Sequence, residues 1–216
     1  MPGCRFQRPV PAPKGGWEID GWTAWRWIDG KTNPTRTRDI VLAARAYHEG
    51  LSGLRCDPAL LGRDDPWAKA DRVAWGEAPP SYSADYELLL RPFLSVAPAA
   101  DRLQLVHADL TGNVVFAPGQ PPGIIDPTLY WRPVAFAEAV VFVDQVWFSE
   151  TIDLDPFADV PDLAAMVSRA AARRIVEQAE QVVLHGKDVS VALCTARRIA
   201  DWTCAALDAL GVRLRK

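Results

Sequence analysis

Polar and apolar positions alternate along this chain with two different periods, and the switch between them divides it. From Thr37 the apolar positions Ile40, Val41, Ala44, Tyr47 and Leu51 return at helical spacing, with Gly50 and Gly53 marking the end. His48 shares that face and reads as a packing or capping residue. Asp64-Asp65-Pro66-Trp67 opens a second helix toward Trp75, with acids before the first turn and proline at an early position. A third helix runs from near Ser83 to Leu90, and Pro92 and Pro98 are expected to end it or bend the chain beyond it. Further on, Val134 to Phe148 is an apolar helix, and Asp162 to Leu210 gives two or three amphipathic helices broken near His185-Gly186. Between them, Thr151 to Phe157 alternates acid and apolar residues. It lacks the glycine and terminal glutamate of a calcium loop, and reads as a linker.

Before Thr37 the pattern is that of short strands. A proline-rich stretch, Pro9 to Pro13, is extended, and then Asp20-Gly21 stands between Trp17-Glu18-Ile19 and Trp22 to Ile28, a strong hairpin signal. Aromatic residues on strands more often pack a core than offer a stacking platform, so Trp17, Trp22, Trp25 and Trp27 are expected to pack. They also carry more apolar area than so short a segment can bury alone. One face of the hairpin is therefore expected to stay uncovered and to promote self-association.

Composition narrows the class. The 216 residues suffice for one good core, and hydrophobic and charged fractions of 49% and 24% are those of a folded globular chain. A formal charge of -3 and the absence of a Lys/Arg stripe argue against nucleic acid as a partner, and the run Arg213-Leu214-Arg215-Lys216 is too short to change this. No long uncharged run signals a membrane span, and Cys4, Cys56, Cys194 and Cys204 are too scattered for a zinc or redox pair. Cys194 and Cys204 read as small packing residues of a helix. A reducing cytoplasm is the expected setting.

The candidate chemistry lies in Leu105 to Phe116 and Gly123 to Asp126, where His107, Asp109, Asn113 and Asp126 interrupt short apolar runs. Such runs are buried strands, so these four groups should meet at strand ends. Two carboxylates and an amide oxygen in one place suit phosphoryl transfer, because Mg²⁺ takes oxygen ligands and an attacking hydroxyl needs a carboxylate acceptor. The segments His107-Ala108-Asp109-Leu110-Thr111-Gly112-Asn113 and Ile124-Ile125-Asp126 resemble the aminoglycoside phosphotransferase and choline kinase group, relatives of the protein kinases. The turn Pro118 to Gly123 joins the two strands as in that group. The stretch between Asp109 and Asn113 is one residue shorter, and it can still present both side chains if Gly112 takes a backbone conformation closed to other residues.

The resemblance implies an α+β, mainly helical fold: a kinase-like helical C-lobe at 31–216 and an N-terminal β-hairpin and hinge at 1–30 as the remnant of an N-lobe. It implies Asp109 as the group that orients or deprotonates the acceptor, His107 as a brace of the loop, and Asn113 and Asp126 as ligands of Mg²⁺ on ATP. Backbone near Trp27 and Ile28 would contact the nucleotide, as a hinge does. Trp131 and Arg132 would close the site from behind, Arg132 either touching an anionic group or forming a surface ion pair. A glycine-rich phosphate loop, a strand lysine and its helix glutamate are not found upstream, and Lys14 lies in a turn beside Gly15-Gly16. The implied function is transfer of a γ-phosphoryl group from ATP to a small-molecule hydroxyl. The alternative is a degenerate kinase-like domain that binds a nucleotide, metabolite or partner without catalysis. Oligomeric state stays open.

Overall fold

A computed structural model describes residues 3–98, 102–149, 151–212 and 214. In chain order the elements are β1 Arg5–Phe6, β2 Glu18–Ile19, β3 Trp22–Thr23, β4 Lys31–Thr32, α1 Thr37–Leu51, α2 Pro58–Leu61, α3 Pro66–Ala74 and α4 Ala84–Leu94. They continue with β5 Gln104–His107, β6 Val114–Phe116, β7 Gly123–Ile124, β8 Leu129–Arg132, α5 Val134–Asp144, α6 Leu163–His185 and α7 Val189–Ala209. The fold is α+β and mostly helical. Among the described residues no helix is long and apolar enough to cross a membrane. Arg213, Arg215 and Lys216 of the C-terminal basic run lie outside the described residues.

Local chemistry explains where the helices begin and stop. Asp65 is the N-cap of α3, its side chain accepting from Ala68 N–H with Pro66 at the first position, so the acidic pair does cap. α6 ends at His185 because Gly186 takes a left-handed conformation (φ 60°), and Asp188 then caps α7 through Ser190 and Val191 N–H. Pro92 does not end α4. It sits inside the helix, which runs on to Leu94 because the fully buried Leu90 and Phe93 hold both sides of the proline in the core. The apolar run from Val134 leaves α-helical geometry earlier than its pattern suggests, passing at Gln145–Trp147 into a 3₁₀ turn.

The helices pack around α6, which touches α3, α4, α5 and α7. α5 is buried on every side, as an all-apolar helix must be. The sheet that carries the candidate chemistry has the order β1-β7-β6-β4, with β6 and β7 antiparallel and paired Val114↔Ile124. Both outer strands come from the N-terminal segment: β1 runs parallel to β7 and β4 antiparallel to β6. Close approach requires glycine at two points here. A Cβ on Gly123 would lie 2.7 Å from Ile28 Cγ2, and one on Gly30 (φ 142°) would lie 2.9 Å from the Phe116 carbonyl oxygen.

Three expectations are corrected. The hairpin β2–β3 forms with Ile19 opposite Trp22, but its tryptophans do not pack a core: Trp22 and Trp27 are 81% and 83% exposed, and Trp17 and Trp25 are exposed too. Among the described residues nothing from the helical layer reaches over them, so the uncovered face is the one that exists. Arg132 is more than a surface ion pair. Its buried guanidinium holds the buried Asp71 (2.6 Å) as well as the exposed Glu77 (2.7 Å), and lies 4.9 Å from the Trp75 ring. Cys194 is exposed rather than packed, on the outer face of α7.

Candidate functional site

Strand pairing delivers the four groups to one end of two small sheets. β5 pairs with β8 in the register His107↔Leu129, and Ala108 N–H continues that ladder to the Thr128 carbonyl. The chain then turns through Leu110 to Asn113, closed by Asn113 N–H on the Leu110 carbonyl at 2.9 Å. Gly112 has no left-handed φ, and a Cβ there would meet nothing within 4 Å. The shortened loop thus closes as an ordinary turn, and the expected special glycine conformation is not needed. On the far side, Ile125 N–H bonds the Asn113 carbonyl at 3.0 Å, so Asp126 emerges beside the loop.

Asp126 itself has φ 47°, a left-handed backbone that few non-glycine residues adopt, though aspartates do so more readily, and Asp20 and Asp162 share it here away from the site. Its N–H is held by Gln7 Oε1 at 3.0 Å, a contact from the N-terminal segment across 119 positions. Strain of this kind persists only where surroundings over-determine it, and it gathers at working sites. Asp109 and Asp126 line one cavity of about 400 Å³ together with Arg63, Trp67, Pro127 and Thr128.

His107 is fully buried and braces the loop rather than facing the cavity. Its Nδ1 accepts from Asp109 N–H (3.3 Å), so the Nε2 near the Ile125 carbonyl (3.2 Å) is the protonated nitrogen of a neutral ring. Burial pushes its pKa down, in keeping with that state. One step further in, His48 Nε2 accepts from His107 N–H at 3.0 Å. Burial and the His107 ring hold the His48 imidazole at about 3, neutral across the physiological range. His48 is thus more than packing: it anchors the strand that ends in the candidate site.

Asn113 Nδ2 donates to the Asp109 carbonyl at 2.7 Å, which fixes the amide and leaves Oδ1 as its acceptor. Asp109 Oδ1 accepts from Arg174 Nη2 at 2.7 Å, while Oδ2 has only a 3.5 Å approach from Asn113. Burial pushes the Asp109 carboxyl up, but the Arg174 charge and hydrogen bond, with Arg173 behind, outweigh it and bring the group below the ordinary carboxylate range. It is ionised at neutral pH.

The braces from α6 are what sequence reasoning missed. Arg174 also forms a fork on the buried Asp144 (2.7 Å) and reaches Glu177 (2.8 Å). Arg173 is completely buried, bonding Glu177, the Ala108 carbonyl and Tyr130 Oη, with the Tyr130 ring 4.4 Å from its guanidinium. Two adjacent arginines within Ala170-Ala171-Ala172-Arg173-Arg174, and an acid closing the apolar run Val140-Val141-Phe142-Val143-Asp144, were the available signals. Charges inside apolar stretches are rarely buried unless paired.

Trp27 and Ile28 are not in the Asp109–Asp126 cavity. They line a neighbouring one of about 440 Å³ with Arg5, Arg8 and Arg26, and Ile28 packs on the β6–β7 hairpin at Gly123. Among the described residues no three His, Cys, Asp or Glu side chains form a metal-binding group; of the expected oxygen donors Asp109 and Asp126 line the cavity, and Asn113 is not among its lining residues. Compared with known proteins, the chain matches no family model and no curated protein.

Proposed function

We propose that this chain is a phosphotransferase of the aminoglycoside phosphotransferase type, acting in the cytoplasm, with a kinase-like helical lobe at 31–216 and a reduced N-terminal lobe before it. It would move the γ-phosphoryl group of Mg²⁺-bound ATP to the hydroxyl of a small molecule. The observation that supports this best is the shared cavity, with an ionised Asp109 on one wall and the left-handed Asp126 on another.

Asp109 Oδ1 is occupied by Arg174, which leaves Oδ2 to receive the acceptor hydroxyl and its proton. His107 keeps the loop in register by bonding backbone on both sides of it. The hard oxygen donors of Asp126 and Asn113 suit Mg²⁺ and would hold it. The ion, when bound, neutralises charge on the transferring phosphate.

Calorimetry with ATP in the presence and absence of Mg²⁺ tests the reading. Wild type should bind ATP in a Mg²⁺-dependent manner, and Asp126→Ala should lose that dependence while keeping its fold. Asp109→Asn should keep ATP affinity and lose turnover, including slow hydrolysis by water, by about 10²–10⁴-fold. Equal affinity with and without Mg²⁺ in the wild type would overturn the assignment.

A second reading, a domain that binds its ligand without turnover, is favoured by one observation. Arg174 holds Asp109 well away from the near-neutral pKa at which a general base works best. Absence of hydrolysis in wild type beside intact Mg²⁺-dependent binding would select it.

A further inference from the structure

We infer that Arg5, Arg8 and Arg26 build a polyphosphate-binding pocket on the N-terminal segment. Its identity as a nucleotide's phosphate site rests on the phosphotransferase reading above; its anion chemistry stands on charge balance, strand register and position.

Charge balance is the first argument. Arg132, Arg173 and Arg174, at the candidate site and in the core, are neutralised by carboxylates, while the buried Arg169 bonds only the Ala74 and Val96 carbonyls. Arg5, Arg8 and Arg26 take part in no ion pair among the described residues. Arg5 bonds the backbone carbonyls of Pro121 and Asp29. Among the described residues Asp29 is the carboxylate lining the cavity, and it accepts from the Trp27 indole. On a chain of net charge -3, this local excess of positive charge runs against the whole.

The second argument is register. Pro9 bridges antiparallel to Trp25, and Arg26 N–H bonds the Arg8 carbonyl at 2.9 Å. Arg8 and Arg26 are therefore direct cross-strand partners, with side chains on one face. Like charges directly opposite destabilise a strand pair. A ligand carrying several negative charges would turn that cost into binding, and guanidinium groups suit phosphate oxygens through paired N–H donors. The cavity of about 440 Å³ is in the size range of small-molecule sites.

Position is the third. Gln7, between two cavity residues, bonds the backbone N–H of Asp126. The cationic pocket is thus joined through one side chain to the residue expected to meet a metal-bound phosphate.

The test uses the full chain, inorganic tripolyphosphate as probe, and EDTA to exclude metal. Wild type should bind tripolyphosphate, weakening as salt rises. The double variant Arg8→Gln/Arg26→Gln should bind at least tenfold more weakly with a melting temperature equal to or above that of wild type, because the cross-strand repulsion is relieved. Arg55→Gln/Arg91→Gln, the same charge loss at exposed remote positions, should not. In wild type, tripolyphosphate should also protect Arg8 and Arg26 from phenylglyoxal, read by peptide mass spectrometry, which needs no variant. Failure of wild type to bind, equal weakening in the remote pair, or unprotected Arg8 and Arg26 would each overturn the inference. Metal-free binding that survives Asp126→Asn supports the pocket whatever the outcome of the Mg²⁺ test. Mg²⁺-dependent ATP binding without any tripolyphosphate affinity would sink the pocket and leave the phosphotransferase reading standing.

Discussion

The two hairpins of this molecule arise from the same signal, apolar runs either side of a turn, and meet opposite fates. In the β6–β7 hairpin Val114, Val115 and Ile124 are at most 5% exposed, while in β2–β3 Ile19 is 53% and Trp22 81% exposed. The difference lies in neighbours. β6 and β7 have strands on both edges and the fully buried His107 bonded to Ile125 just beyond β7, whereas β2 and β3 pair only with each other. Apolar character makes burial favourable; a second layer makes it possible. The candidate chemistry sits on the hairpin that is held from all sides, as a site needing fixed geometry requires.

The comparison breaks first if the buried braces can be removed cheaply. Arg173→Met leaves Glu177 without one partner and the Ala108 carbonyl and Tyr130 hydroxyl without their Arg173 bonds in the interior. Removing one member of a buried charge pair costs about 3–5 kcal/mol. Denaturant unfolding should show a loss of that size, and a loss under about 1 kcal/mol would mean that the region of the candidate site is no more firmly held than the surface.

Next in size is a pH effect on a second brace, His48 of α1. His48 has a folded pKa of about 3 against an ordinary 6.5, so between those values the unfolded chain binds the extra proton. Stability is therefore full above about pH 6.5 and falls as pH drops toward 3, by about 3 kcal/mol on reaching pH 4. Melting temperatures of wild type and His48→Gln across pH 4–7 check this, since the variant should lose most of the slope, the remainder coming from the likewise depressed His107 and from the shifted buried carboxyls of Asp71, Asp109, Glu138 and Asp144.

Legibility in the sequence divides along a physical line. Helix α1, the Asp65 cap, the Gly186 break and both hairpin turns depend on residues within a turn of one another, and periodicity and capping chemistry reveal them. That Asp109 and Asp126 line one cavity was legible because each follows a short apolar run. Exposure of the tryptophans was not, because it depends on which layer packs elsewhere. The Arg174–Asp109 pair spans 65 positions and the Gln7–Asp126 bond 119, and no local pattern encodes either. Pro92 misled for a related reason: packing of Leu90 and Phe93 outweighs a local backbone preference.

A smaller effect tests how the two regions are joined. Gly123→Ala would put a methyl 2.7 Å from Ile28 Cγ2 and 2.8 Å from Val115 Cγ2. One side chain must move, and overpacking of this kind costs about 1–3 kcal/mol. Ile28→Ala in the same background should recover part of that loss, measured as a coupling energy in a double-mutant cycle. Strict additivity would show that the N-terminal segment is not seated on the β6–β7 hairpin at this point.

The smallest expected change is the sharpest statement about the exposed hairpin. Trp22 stands opposite Ile19 and is 81% exposed, so truncating it removes apolar area that is already in water. Trp22→Ala should alter the unfolding free energy by less than about 0.5 kcal/mol, as surface substitutions do. Its indole should be open to acrylamide quenching in dilute solution. Raising the protein concentration discriminates the two ways this face can exist: if copies associate through it, quenching falls and sedimentation shows a dimer that Trp22→Ala abolishes. A loss above about 2 kcal/mol in the dilute monomer would mean that Trp22 is packed after all, and the contrast between the two hairpins would disappear.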